Sequence, residues 1–145
     1  MSKIDQDVAA FLAHVEVLSE RLEPPRRPQD AGIPECTTRE VGALRALGQH
    51  GHLTMSALAT LIDAPLSTAS RIVEALVIKG LVERESSAAD GRIVEVVLAP
   101  RGKRIDRYIR ETRHAEARAM LGALPERERK RFLQQLAQLV ENDTS

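Results

Sequence analysis

The 145-residue sequence holds one cysteine, two phenylalanines, one tyrosine and no tryptophan, and it has no surplus of either charge. Each shortage removes a class of function. With Cys36 alone, neither an intrachain disulfide nor a cysteine-cluster metal site can form, which suits a reducing compartment. No apolar run approaches the roughly 18 residues that a membrane span requires. The polar, acidic start from Met1 to Asp7 has the build of neither a signal nor a transit peptide, so a cytoplasmic protein is expected. Phe11, Tyr108 and Phe132 are too few rings for the base-stacking surfaces that single-strand and RNA binders use. Lys and Arg number 21, as do Asp and Glu, but the basic excess lies after residue 100 and is too modest to indicate nucleic acid by itself. There is no phosphate-binding glycine loop, nucleophile motif or carboxylate pair with a partner base. His14, His50, His52 and His114 show no ligand spacing, so no enzyme, no metal and no cofactor is expected.

What is present is a succession of short amphipathic segments. Glu23-Pro24-Pro25-Arg26-Arg27-Pro28, with Gly32 and Pro34, reads as a connection. Before it, a helix from about Asp5 to Leu22 places Val8, Phe11, Leu12, Val15 and Leu18 on one side and ends where the prolines forbid continuation. After it, Thr37 or Thr38 caps a helix that runs to about Gln49 with Val41, Leu44 and Leu47 inward. Thr54 or Ser56 caps a third helix with a stripe of Leu58, Ala59, Leu61 and Ile62. A fourth, from Ser67 or Thr68 to Gly80, shows Ala69, Ile72, Val73 and Leu76 on one face. Two short helices joined by a tight turn make a helix-turn-helix.

The apolar period then shortens. Leu81 to Glu85 and Arg92 to Leu98 read as strands, the second with Val94, Val96 and Leu98 on one side, and Ser86 to Gly91 has the composition of a hairpin loop. A hairpin in that place is a wing. Pro100 opens a long helix with Ile105, Tyr108, Ile109, Thr112, Ala119 and Met120 inward. Pro125 opens the last, with Phe132, Leu133, Leu136, Leu139 and Val140 inward. The expected fold class is mainly α with a small β-hairpin: a winged helix-turn-helix over residues 37–99, and N- and C-terminal dimerisation helices over 1–23 and 100–145, in one domain.

On the fourth helix, Ser67, Ser70, Arg71 and Glu74 gather opposite the apolar stripe. A helix fits the major groove of B-DNA, small hydroxyl residues at its start permit close approach, and the backbone N–H groups there can meet a phosphate. Arg71 can reach a guanine edge or a phosphate, whereas Glu74 repels phosphate yet can accept from a cytosine amino group. An ordinary solvated helix face is the competing explanation for these four. Arg92, directly after Asp90-Gly91, can enter a minor groove, where a narrow width favours guanidinium, with Asp90 holding it in place. The plainer alternative is a turn followed by a solvated strand residue. Thr68 joins the polar set, and Lys79 and Arg84 are candidate phosphate neighbours.

From Leu53 to Gly102 the chain resembles the MarR family of winged-helix regulators. The matching residues are Leu58-Ala59, Ser67-Thr68-Ala69-Ser70-Arg71, Leu76, Lys79-Gly80-Leu81-Val82-Glu83-Arg84, the wing motif Asp90-Gly91-Arg92, and Leu98 followed by Gly102. The outer helices match the family's layout in pattern only. The resemblance implies a homodimer on pseudo-palindromic double-stranded DNA, a recognition helix at Ser67 to Lys79, a wing arginine at Arg92, and repression relieved by a ligand or an oxidant. Ala99 departs from the threonine common in the family after the last strand. The proline-rich connection is also unlike a typical family loop.

Dimerisation has an independent argument, because the terminal helices carry more apolar surface than a small winged helix can cover. Phe11, Leu12, Leu18, Phe132, Leu133, Leu136 and Leu139 are the expected contacts. The family suggests an effector pocket for which His14, Arg45 and Tyr108 are the nearby polar candidates, although packing or exposure explains each equally well. Arg104, Arg107, Arg110 and Arg113 line the outer side of the long helix as a solvated face. Cys36 is a candidate redox sensor, opposed by the neighbouring Glu35, which disfavours a thiolate. A winged-helix module for protein contacts is the reading from a different class, one that needs neither Arg71 nor Arg92.

Overall fold

A computed structural model describes residues 2–23 and 34–142. The core of the proline-rich connection lies outside the described residues. The elements run α1 (Lys3–Leu22), α2 (Thr38–His50), β1 (His52–Thr54), α3 (Met55–Leu61), α4 (Leu66–Ile78), β2 (Val82–Ser86), β3 (Val94–Leu98), α5 (Pro100–Gly122) and α6 (Glu126–Glu141). No helix among the described residues is long and apolar enough to cross a membrane. The described residues form two compact units, 34–110 and 2–23 with 111–142.

Within residues 34–110, helix starts follow their caps. The Thr37 hydroxyl accepts from the Glu40 amide at 3.1 Å, and the Thr54 hydroxyl accepts from Ala57 at 3.1 Å, each satisfying an orphan donor of a first turn. Gly80 ends α4 with φ of 73°, a left-handed conformation open to glycine at little cost. α4 itself begins at Leu66 behind Pro65, without a side-chain cap, rather than at a capping Ser67 or Thr68. Proline at the boundary disfavours a helical conformation at Ala64, so the helix starts just behind it and the serine and threonine fall inside.

The sheet has three strands in the order β1-β3-β2, all antiparallel, and not the two of a simple hairpin. His52–Thr54 is too short for an alternating pattern to declare itself, but it pairs with Val97, Val96 and Glu95 of β3. The wing strands start later than the apolar alternation suggested, at Val82 and Val94, because the hairpin closes through Ser87, whose amide donates to the Ile93 carbonyl at 2.7 Å.

The core joins α2, α3, α4, the sheet and the first half of α5. Leu44, Leu47, Leu58, Val73, Leu76, Leu81, Val82 and Val96 are fully buried, with Ile105 and Ile109 against them. Burying each such side chain contributes up to about 1.5–3 kcal/mol. Seven residues expected inward lie on the surface instead: Leu61 at the last position of α3, Val94 at the tip end of β3, Ala119 in the later half of α5, and Leu133, Leu136, Leu139 and Val140 on α6. The first two stand at element ends, where the neighbouring turn or loop gives no cover.

The other unit holds α1, the end of α5 and α6. α1 opens with a reciprocal cap in which Ser2 and Asp5 each bond the other's amide; the Ser2 bonds lower the Asp5 pKa. Arg21 meets Glu116 at 2.6 Å. Neither α1 nor α6 has a single buried residue.

Candidate nucleic-acid interface

The apolar stripe of α4 (Ala69, Ile72, Val73, Leu76) is buried as its spacing dictates, and this turns Ser67, Ser70, Arg71 and Glu74 to solvent. Thr68 is half-buried beside them. Since no side chain caps α4, neither serine hydroxyl is spent at the helix start, and the first-turn amides stay open to an anion. The polar face therefore presents two small hydroxyls, one guanidinium and one carboxylate.

Glu74 is not a bare negative charge. Arg84, on β2, donates from Nη2 to a Glu74 carboxylate oxygen at 3.1 Å, so the two candidate residues meet and tie the wing strand to α4. Both are more than a third exposed, so the pair contributes little stability; its effect is to cancel local charge and restrain two flexible side chains.

Lys79 is placed differently. Its Nζ reaches Glu40 at 2.5 Å and the Glu35 carbonyl at 2.7 Å, with the Glu40 side chain only 8% exposed. The ammonium thus closes a part-buried pair between the end of α4 and the start of α2. Helical spacing alone does not reveal this, because the partner lies 39 positions away.

At the wing tip, Asp90, Gly91 and Arg92 are all exposed. The Asp90 carboxylate accepts from the Arg92 backbone amide at 3.0 Å, and the Ser87 hydroxyl accepts from the Ala89 amide at 3.2 Å. Asp90 therefore shapes the main chain under Arg92 and leaves its guanidinium outside that contact, an Asx-type turn.

The remaining candidates are dispersed. His14 is exposed on α1, in the other unit; Arg45 and Tyr108 are half-buried on α2 and α5. Phe11, Leu12, Leu18, Leu133, Leu136 and Leu139 are exposed, and Phe132 is half-buried. Cys36 is buried, and desolvation raises its thiol pKa despite the opposing Lys79 charge, with Glu40 adding to the rise. Among the described residues no cluster of His, Cys, Asp or Glu could hold a metal. Two buried charged residues are not foreseen from the sequence, Asp106 and the Glu40 beneath Lys79. Asp106 is 2% exposed, in the same α5 face as Gly102, Ile105 and Ile109. An acidic residue on an inward stripe was the available signal.

A helix-turn-helix whose second helix is backed by a core and flanked by a three-stranded wing defines the winged-helix class. Residues 37–93, which carry the polar face and the wing tip, match the family model for MarR. Solved structures share the fold across nearly the whole chain. RV1404 from Mycobacterium tuberculosis is 23% identical with a TM-score of 0.82, covering 100% of this chain and 97% of that one. A MarR family protein from Bacillus stearothermophilus is 23% identical with a TM-score of 0.79, covering 100% and 99%. FabT of Streptococcus pneumoniae, solved in complex with DNA, is 21% identical with a TM-score of 0.71, covering 97% and 96%. No curated protein matches the chain.

Proposed function

We propose that this protein is a sequence-specific, double-stranded DNA-binding transcriptional regulator that works in the cytoplasm as a homodimer, repressing until a small molecule relieves it. The observation that carries the reading is the exposed face of Ser67, Ser70 and Arg71 on α4 beside a wing whose Arg92 stands on a shaped turn. The α4 face enters a major groove and Arg92 the adjacent minor groove. The DNA complex solved for FabT, which shares the fold, supports the same mode here. Residues 37–99 form the DNA-binding part, with Thr68, Arg84, Asp90 and Gly91 supporting the contacts.

The homodimer reading rests on α1 and α6. Phe11 is 51%, Leu12 60% and Leu139 58% exposed in one chain, and a second copy is the cover that a two-fold regulator supplies. Two-fold pairing sets half-sites about 10 base pairs apart, centre to centre. His14, Arg45 and Tyr108 remain the proposed effector contacts. A Cys36 switch is the weaker alternative, since burial and a raised pKa keep the sulfur a thiol.

The test is selection of duplexes from a random pool, followed by titration of the chosen site with wild type, Arg71→Ala and Arg92→Ala. Each variant should bind about 10- to 100-fold more weakly with melting temperature unchanged. Wild-type protein that selects no duplex, or variants that bind as wild type does, would sink the DNA reading and favour a protein-contact module.

A further inference from the structure

A cavity of about 500 Å³ opens wholly within residues 47–110, between the end of α2, one face of β2 and the first half of α5. Its walls are opposite in charge. Glu83 and Glu85, two apart on β2, line one side, and Lys103, Arg107 and Arg110, at helical spacing on α5, line another. Arg110 pairs with Asp106 of its own helix, and His52 lies 3.4 Å from Glu95. Among the described residues, no ion pair joins Glu83 or Glu85 to Lys103 or Arg107. Long, flexible side chains of opposite sign share a cavity and do not meet across it.

Asp106 also lines this space, and its position is unusual. The carboxylate packs directly over Gly48, where an added Cβ would lie 2.2 Å from Oδ2. Oδ2 accepts from Arg110 Nε at 3.1 Å, whereas Oδ1 is buried without any hydrogen-bond partner. An unpartnered buried carboxylate oxygen bears its full desolvation cost until a donor reaches it. Neither duplex contacts nor pairing of α1 and α6 uses this group.

We propose that the cavity binds a small zwitterion of the amino-acid type, its ammonium or guanidinium group toward Asp106, Glu83 and Glu85 and its carboxylate toward Lys103 and Arg107. A purely anionic ligand would meet three carboxylates and leave Asp106 Oδ1 without a donor. A purely cationic one would face Lys103, Arg107 and Arg110. Leu47, Val97, Leu98 and Pro100 supply apolar wall for the methylenes between the two charged ends, and the volume suits a small molecule. None of His14, Arg45 and Tyr108 lines the cavity, although the Arg45 charge acts on Asp106. The site stands independently of DNA binding. Alternation along β2 nevertheless puts Arg84, the partner of Glu74, on the opposite face from Glu83 and Glu85, so ligand and α4 act on one strand.

Thermal melting and calorimetric titration of the full chain test this with L-arginine, L-lysine and 4-aminobutyrate as probes. Agmatine, which carries only positive charge, and succinate, only negative, are the controls. At ten times its dissociation constant a bound zwitterion should raise the melting temperature by roughly 3–7 °C, and the controls should not. Glu83→Gln with Glu85→Gln, and separately Lys103→Gln with Arg107→Gln, alter exposed side chains and should each weaken binding about tenfold or more. Asp106→Asn should weaken it too. The proposal is overturned if no zwitterion binds, if agmatine or succinate binds as well, or if both paired-charge variants bind as wild type does. Neither melting nor calorimetry involves DNA, so a chain that fails to bind duplex can still bind the zwitterion, and the two failures stay separable.

Discussion

Gly102 stands where α5 crosses the start of the wing. An added Cβ there would lie 1.9 Å from the Leu81 carbonyl oxygen and 3.0 Å from its carbon. The obstacle is main chain, and that same carbonyl accepts from the Ala99 amide at 3.0 Å, so it cannot swing aside without giving up a buried bond. For Gly102→Ala the overpacking costs about 1–3 kcal/mol and the strained or lost hydrogen bond a further 1–3 kcal/mol or so. Alanine in a helix recovers roughly 0.5–1 kcal/mol against glycine. The net loss is about 1–5 kcal/mol, which lowers the melting temperature of a chain this size by roughly 3–20 °C. Gly42→Ala is the matched control, because Gly42 is also helical and has nothing within 4 Å of an added Cβ. It should gain about 0.5–1 kcal/mol and melt roughly 2–4 °C higher. Circular dichroism melts at one fixed protein concentration compare the two. If Gly102→Ala melts within a degree or two of wild type, or both variants shift the same way, the close approach of α5 to Leu81 has been misjudged.

Lys79→Ala takes the ammonium away from the buried Glu40 carboxylate, so urea denaturation should show a loss of about 1–3 kcal/mol, and an unmoved midpoint would remove the pair from the stability account. Burial pushes the Asp106 carboxyl above the usual aspartate range, against the pull of Arg110 and Arg45. The folded chain then holds that proton more tightly than the unfolded chain, so stability falls as pH rises from the ordinary aspartate value through the raised one, and the penalty is complete above it. Asp106→Asn removes this titration; the stability difference should move in the variant's favour across that window, and a difference independent of pH would contradict it. Cys36 should react with iodoacetamide far more slowly in the native protein than in denaturant at equal pH, and peroxide should leave duplex affinity unchanged. A native rate matching the denatured one would reopen the redox alternative.

What the sequence declares and what it hides divide along a physical line. Ala69, Ile72, Val73 and Leu76 are buried as their spacing requires, because a stripe on a 13-residue helix has only one way to face a core. The end at Gly80 is legible for similarly local reasons, whereas the sequence offers Thr37 or Thr38 and Thr54 or Ser56 as caps and the fold uses Thr37 and Thr54. β1 is not legible, since three residues carry no periodicity and its pairing comes from β3, more than 40 positions on. The ties of Lys79 to Glu40 and of Arg84 to Glu74 join separate elements, so only the folded chain discloses them. Asp90 illustrates the middle case. Its place in the turn is written in Asp90-Gly91, but whether it grips the side chain or the amide of Arg92 is a matter of geometry.

The strand order has a further consequence for handling the protein at concentration. With β3 in the middle, the two unprotected margins are β1, only three residues long, and β2, whose Glu83, Arg84 and Glu85 alternate in sign and are all exposed. A stray strand finds too little length on one margin and a fixed pattern of charge on the other, so growth of the sheet from molecule to molecule is discouraged at both.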